Sequence, residues 1–232
     1  MTWDLAAVCF DAHDPARLAG FWSALLGWPA VAEGEDVALV PGDGTGYRLR
    51  LVASREPKSA PNRIHLDLTS SSDEDQQQTV AQAVALGGRH LEVDLGPDER
   101  HVPLADPEGN ELCVIPADNR FLAGCGRVGA INCEGTRQVG YFWSAALGWP
   151  LVWDQDEETA IQSPRGGTKI TWSGPPLPPR LGKDRQHFDL AASPGADRAA
   201  GIARLVSLGA TPVDAGVLAD PDGNEFCVTA GG

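Results

Sequence analysis

Apolar positions along the chain alternate between two periods, and the alternation predicts its elements. The dense apolar run from Leu5 to Asp11 has the length of a buried strand. Asp14-Pro15 then offers an N-cap and a first-turn proline. Leu18, Phe21, Trp22 and Leu25 follow at i, i+3, i+4 and i+7, the spacing of one buried helix face, and Gly27 stops that helix. Strands are predicted from Val37 to Val40 and from Tyr47 to Val52. The pattern then restarts with a strand from Ile64 to Thr69 and a helix from Gln76 to Leu86, closed by Gly87-Gly88. Further strands are predicted at Leu91 to Val93, His101 to Leu104 and Leu112 to Ile115. Asp106-Pro107-Glu108-Gly109 joins the last two with the residue types of a type I turn.

Three blocks of this pattern occur twice, in the same order. Phe21-Trp22-Ser23-Ala24-Leu25-Leu26-Gly27-Trp28-Pro29 returns as Phe142-Trp143-Ser144-Ala145-Ala146-Leu147-Gly148-Trp149-Pro150. His65-Leu66-Asp67-Leu68 returns as His187-Phe188-Asp189-Leu190, and Asp106-Pro107-Glu108-Gly109-Asn110-Glu111 as Asp220-Pro221-Asp222-Gly223-Asn224-Glu225. A repeat of this length marks two homologous halves, each reading βαβββ twice. The domains are expected at residues 1–118 and 127–232, with a linker at 119–126. The spacing shortens before the last block, so the second half is expected to lack a hairpin's worth of residues matching Leu95 to Pro103, His101 included.

Composition narrows the function classes. The 27 glycines and 18 prolines among 232 residues favour turns and short elements over a helical bundle. A net charge of −14 repels phosphate backbones, so nucleic acid is not an expected partner. No apolar run is long enough for a membrane helix and no secretory leader is visible, so a cytoplasmic protein without membrane contact is expected. Five cysteines without CxxC spacing do not form a disulfide framework.

The ordered combination of the helix end Phe-Trp…Leu-Gly-Trp, the strand His-Leu-Asp-Leu and the turn Asp-Pro-Glu-Gly-Asn-Glu resembles the glyoxalase/bleomycin-resistance group, the vicinal oxygen chelate superfamily. The resemblance implies an α+β fold of paired βαβββ modules, two tandem glyoxalase-like domains and four modules in all. It also implies curved sheets forming a half-open cup around a small ligand. That superfamily includes metal-dependent lyases, isomerases and dioxygenases as well as metal-free sequestering proteins, so the fold does not settle the activity.

In the metal-dependent members the ligands come from the first and last strands of each module, usually as His and Glu. Alignment on Phe21-Trp22 puts Ala7 and Val128 at the first-strand position, Arg50 and Thr171 on the fourth strand, and Cys113 and Cys227 where a carboxylate is usual. Only His65 and His187 match, so the usual chelate is missing. Strand alternation offers another set, Cys9, His65 and Cys113, repeated as Cys133, His187 and Cys227. Two thiolates and an imidazole with an open position suit zinc. Small buried thiols in a duplicated core explain the same residues, and this plainer reading outweighs the metal one.

His65 with Glu111 is the candidate acid/base pair; the plainer role for His65 is a hydrogen bond to a strand neighbour. Arg50, Asp67, His101, His187 and Glu225 are candidate polar ligand contacts. Trp153 and Trp172 stand where the first half has Ala32 and Leu51, and are candidate pocket walls, with extra core bulk as the alternative. Two functions follow: metal-independent binding of a small apolar or aromatic molecule, of the sequestration or resistance type, or a lyase, isomerase or dioxygenase dependent on a divalent metal or a His/Glu pair. The expected cofactor is none or one divalent metal. The expected partner is a small molecule, and the expected state is a monomer built as an internal pseudo-dimer, or a homodimer.

Overall fold

The two alternating patterns become four βαβββ modules in a computed structural model that describes residues 3–93, 96, 99–193 and 195–229. The first module runs β1 (Trp3–Ala12), α1 (Pro15–Leu26), β2 (Ala30–Glu33), β3 (Asp36–Leu39), β4 (Arg48–Ala53). The second runs β5 (Ile64–Leu68), α2 (Asp73–Ala85), β6 (Arg89–His90), β7 (Val102–Ala105), β8 (Glu111–Val114). The third is β9 (Val128–Cys133), α3 (Arg137–Leu147), β10 (Leu151–Gln155), β11 (Glu158–Gln162), β12 (Lys169–Trp172). The fourth is β13 (Gln186–Ala192), α4 (Arg198–Ser207), β14 (Thr211–Asp214), β15 (Val217–Ala219), β16 (Glu225–Thr229).

Local chemistry sets the boundaries. Helices α1 and α3 end at Gly27 and Gly148, whose φ of 71° and 68° is the left-handed cap that a Cβ would strain. Helix α2 starts three residues earlier than its apolar spacing indicates, because the Ser72 side chain accepts from the Asp75 amide and three acidic residues fill the first turn. Strand β2 escaped the apolar pattern because it is an exposed edge. The strand expected at Leu91 to Val93 is absent; the two-residue β6 precedes it. The second half keeps its hairpin, β14 and β15 closed by Ala215-Gly216, while the first half carries residues 91–101 between the matching strands. Leu95, Pro97 and Asp98 of the expected insertion lie outside the described residues.

Each sheet has eight strands, and each joins modules from both halves. Sheet I is ordered β14-β15-β16-β13-β1-β4-β3-β2, and sheet II β10-β11-β12-β9-β5-β8-β7-β6. Its central pair is β1 antiparallel to β13 in sheet I, and β5 antiparallel to β9 in sheet II. The first and fourth modules therefore share one sheet and the second and third the other. The connections 54–63 and 173–185 carry the chain between sheets, whereas 115–127 leaves and re-enters sheet II. One continuous apolar cluster, with residues of all four modules, holds the helices against the sheets.

The repeated Asp-Pro-x-Gly-Asn turn holds the two modules of each half together. Asp106 is buried and accepts from the Trp22 indole at 3.1 Å, the Glu108 and Asn110 amides at 2.9 Å each and the Asn110 side chain at 2.8 Å. Asp220 repeats this with Trp143, Asp222 and Asn224. The next acidic residue of each turn reaches the start of the same helix: Glu108 accepts from the His13 and Asp14 amides, and Asp222 from the Thr136 amide and hydroxyl. Burial lifts the Asp106 and Asp220 carboxyls above the ordinary range, although these donors pull them back. Replacing Trp22 or Trp143 by Phe keeps the ring but leaves a buried carboxylate oxygen short of a donor. Each change is expected to lower stability by about 1–3 kcal/mol in urea unfolding; a loss below about 0.5 kcal/mol would remove the turn from this role.

Candidate functional site

Alternation on the central strands decides which side chains reach the concave faces. In β5, Ile64, Leu66 and Leu68 are buried in the core, leaving His65 and Asp67 on the other face. In β8, Leu112 and Val114 are core residues, and Glu111 and Cys113 share the open face. The registers Asp67↔Cys113, His65↔Asn132 and Asn132↔Thr171 complete the floor of sheet II. In sheet I, Cys9↔His187, Cys9↔Arg50 and Asp189↔Cys227 build the equivalent floor.

This register corrects two expectations. Cys9 cannot act with His65 and Cys113, because β1 pairs with β13 and Cys9 lies against His187 in the other sheet. Cys133 is not the counterpart of Cys9. The path from strand to helix is two residues shorter in the third module, so Asn132 takes the Cys9 position and Ala130 that of Ala7, while Cys133 is buried in the core. The helix-anchored alignment therefore misplaced Val128 as well.

Charge is distributed differently over the two floors. In sheet I the ligand atoms of Cys9, His187 and Asp189 lie within 4.8 Å of one another. Arg50 places its guanidinium 3.1 Å from Asp189 and 3.2 Å from Asp36, with Glu33 at 3.4 Å. Burial pushes the Cys9 thiol up to about 11. Burial also opposes the charged form of His187, but bonds to Asp189, Cys227 and Cys9 overcome it and raise its pKa. Asp189 is held below the ordinary range, since His187, Cys9 and Arg50 outweigh its burial. The cavity here is an open polar groove of about 570 Å³ lined by Arg48, Arg50, Glu33 and Asp189.

In sheet II, His65, Asp67 and Cys113 gather within 4.8 Å, with His65 Nε2 at 3.4 Å from Asp67. Thr171 takes the place of Arg50, so no guanidinium enters. The cavity of about 290 Å³ is lined by Asp67, Asn132 and Thr171 below and by Ile115, Leu122, Phe121 and Trp153 around them. Trp153 is 37% exposed and meets Phe121 edge-to-face, 5.9 Å between centroids. Trp172 borders the same cavity but is 1% exposed and belongs to the core. Phe121 and Leu122 come from the 119–126 segment, expected as a mere linker; it folds over the sheet as a roof. Gly129 permits that, because a Cβ there would stand 2.8 Å from Leu122 and 2.6 Å from Thr69. The Thr171 hydroxyl is buried without a hydrogen-bond partner.

The remaining expected residues are engaged elsewhere. Glu111 lies in register beside His65, but its carboxylate binds Lys58 at 2.8 Å and the Asn62 amide, and the carboxylate meeting His65 is Asp67. Glu225 pairs with Arg180 and His101 with Glu99. Asn132, Phe121 and Asp189 were not singled out from the sequence. Asp189 was legible as the repeat of Asp67, whereas Phe121 has no counterpart to mark it.

The two floors differ in their fit to a divalent metal. In sheet I a fixed guanidinium already neutralises Asp189 where a metal would bind, so the donors do not suit one. In sheet II an imidazole, a carboxylate and a thiol converge beside a cavity whose lining, among the described residues, includes no cationic side chain, an N/O/S set that suits zinc or a similar ion with open positions.

Burial disfavours the charged form of His65, but bonds and charge from Asp67 and Cys113 outweigh it and raise its pKa to about 10. A pKa raised on folding gives stability that is complete below the ordinary histidine range and is lost as pH rises through about 10. In chelator-treated protein, an NMR titration is expected to find the His65 imidazole charged through neutral pH, and Asp67→Asn to lower its midpoint. A wild-type midpoint near that of a free histidine would contradict the pair.

The glyoxalase-like domain profile matches residues 7–115 and 129–229. Glyoxalase I from Zea mays superposes with a TM-score of 0.66 at 12% identity, over 98% of this chain and 92% of that one. A putative dioxygenase from Bacillus subtilis subsp. subtilis str. 168 gives 0.65 at 11% identity, over 99% and 86%. No curated protein matches the chain by sequence. At these identities the superpositions describe the fold alone.

Proposed function

The chain belongs to the glyoxalase-like domain family, and on that premise we propose that the cup of sheet II binds a small, mainly apolar or aromatic molecule. The observation that carries this reading is the roofed cavity, in which the rings of Trp153 and Phe121 face a floor of Asp67, Asn132 and Thr171. Its apolar wall favours the body of such a ligand, and its few polar groups fix one end. The unpartnered Thr171 hydroxyl gains a partner when that end carries an acceptor or donor. The sheet I groove supports this division by contrast, since its Arg50 cluster is internally neutralised and its aromatic lining residue, Tyr47, is buried and bonded through its hydroxyl to Thr168.

A second reading rests on the His65, Asp67 and Cys113 cluster, and makes the same cup the site of a metal-dependent lyase, isomerase or dioxygenase. Those three residues would hold the ion, which supplies Lewis-acid polarisation of a ligand oxygen. The chain's own part is then to seat the ligand against Trp153 and to exclude water with the roof. Glyoxalase I from Zea mays and the Bacillus protein lend this reading an analogy of fold.

Titration with a panel of naphthalene- and quinone-type compounds is expected to quench tryptophan fluorescence saturably. Trp153→Ala should weaken binding about tenfold, roughly 1.4 kcal/mol, and Arg50→Met should leave it unchanged. Equal weakening by both variants, or no saturable quenching across the panel, would sink the assignment to sheet II. Metal content by plasma mass spectrometry separates the two readings: about one ion per chain, lost in His65→Ala, favours the second, and none after incubation with zinc, iron, manganese or nickel removes it.

A further inference from the structure

The roof over the second cup carries a thiol whose closest polar neighbour is a buried ammonium. Lys169 is only 7% exposed and lies on the concave side of β12. Among the described residues its Nζ meets no carboxylate; its contacts are the Cys125 sulfur at 3.4 Å and the face of Phe121, 5.1 Å from the centroid. The Gln162 amide donates to the same sulfur at 3.8 Å. A buried cation demands a counter-charge, and the Phe121 face offers only a quadrupole. The Cys125 sulfur is the one group in contact that can take up a full negative charge.

Access is open as well. Cys125 is half-buried between exposed Gly124 and Gly126, and borders two cavities of about 420 and 460 Å³. We propose that Cys125 is a modification site for hydroperoxides and small soft electrophiles, with Lys169 as the positioning residue that stabilises charge on its sulfur. With hydrogen peroxide the sulfur attacks one oxygen, an S–O bond forms and the O–O bond breaks. Sulfur loses two electrons, the peroxide gains them, and the thiol proton joins the departing hydroxide as water, leaving a sulfenic acid beside Lys169. This site stands independently of what the cup binds.

The test is alkylation of the full chain by limiting iodoacetamide at neutral pH, followed by quantification of the tryptic peptide Phe121–Arg127, which contains no other cysteine. Cys125 is expected to react about tenfold faster in the folded protein than in the urea-unfolded chain. Lys169→Met should abolish that excess and Lys169→Arg retain it. A few equivalents of peroxide followed by a dione probe should place a sulfenic acid adduct on the same peptide. A folded-state rate at or below the unfolded rate overturns the proposal whether or not the variants fold, as does an excess that survives in a folded Lys169→Met, or a peptide left unmodified by peroxide.

Discussion

Two buried carboxylates, Asp106 and Asp220, set the constraint on which the rest of the structure depends. Each sits at the first position of a turn and is saturated by donors from that turn and from a tryptophan in the preceding module. Removing such a group from water is unfavourable unless every donor is in place. The turn must therefore close on α1 or α3 in one arrangement only. This clasp ties the modules within each half, while the β1–β13 and β5–β9 pairings tie modules across the halves. Neither set of contacts alone holds four modules; together they close the chain on itself as a single domain-like pair would.

Duplication then left two floors free to diverge on an unchanged backbone. One substitution does most of this. Arg50 in sheet I becomes Thr171 in sheet II, so one floor sets a guanidinium against its aspartate and the other leaves that position open. The Cys9-to-Asn132 difference acts in the same direction, replacing a buried thiol beside His187 with an amide at the cavity edge. The histidine and aspartate of the His-x-Asp strand are common to both. Their retention reflects a mutually satisfied pair, His65 with Asp67 and His187 with Asp189, which either kind of floor tolerates.

Much of this was legible in the sequence, and the exceptions have physical causes. The repeat blocks are long enough to fix module order and the helix faces, so Trp22, His65 and Asp106 were correctly paired with their counterparts. Strand alternation placed His65, Asp67 and Cys113 on one face. Which strands meet across the halves was not legible, because β1 and β5 carry similar apolar runs and nothing local selects β13 over β5 as the neighbour of β1. The two-residue difference before α3 was hidden for a related reason: the strongest motif lies in the helix, and an alignment anchored there carries its offset silently into the strand. An even offset preserves the face, so Ala130 and Asn132 remain on the floor, but Cys133 is an odd step away and faces the core.

The roof sets the two cups apart. Three connections join the four modules, and two of them must cross between sheets. Only the middle one returns to the sheet it left, so among the described residues it is sheet II that receives an inter-module segment folded over its concave face. Phe121 and Leu122 supply that roof with apolar surface, and Lys169 beneath Phe121 anchors it at the far end of the floor. A roof of this kind shields the Thr171 hydroxyl from water, which strengthens its interaction with whatever enters. Sheet I has no equivalent segment among the described residues, and its open groove leaves Arg48 exposed and paired to Glu33. The asymmetry of the two cups thus follows from chain connectivity before any side chain is considered, and the Arg50-to-Thr171 exchange reinforces it.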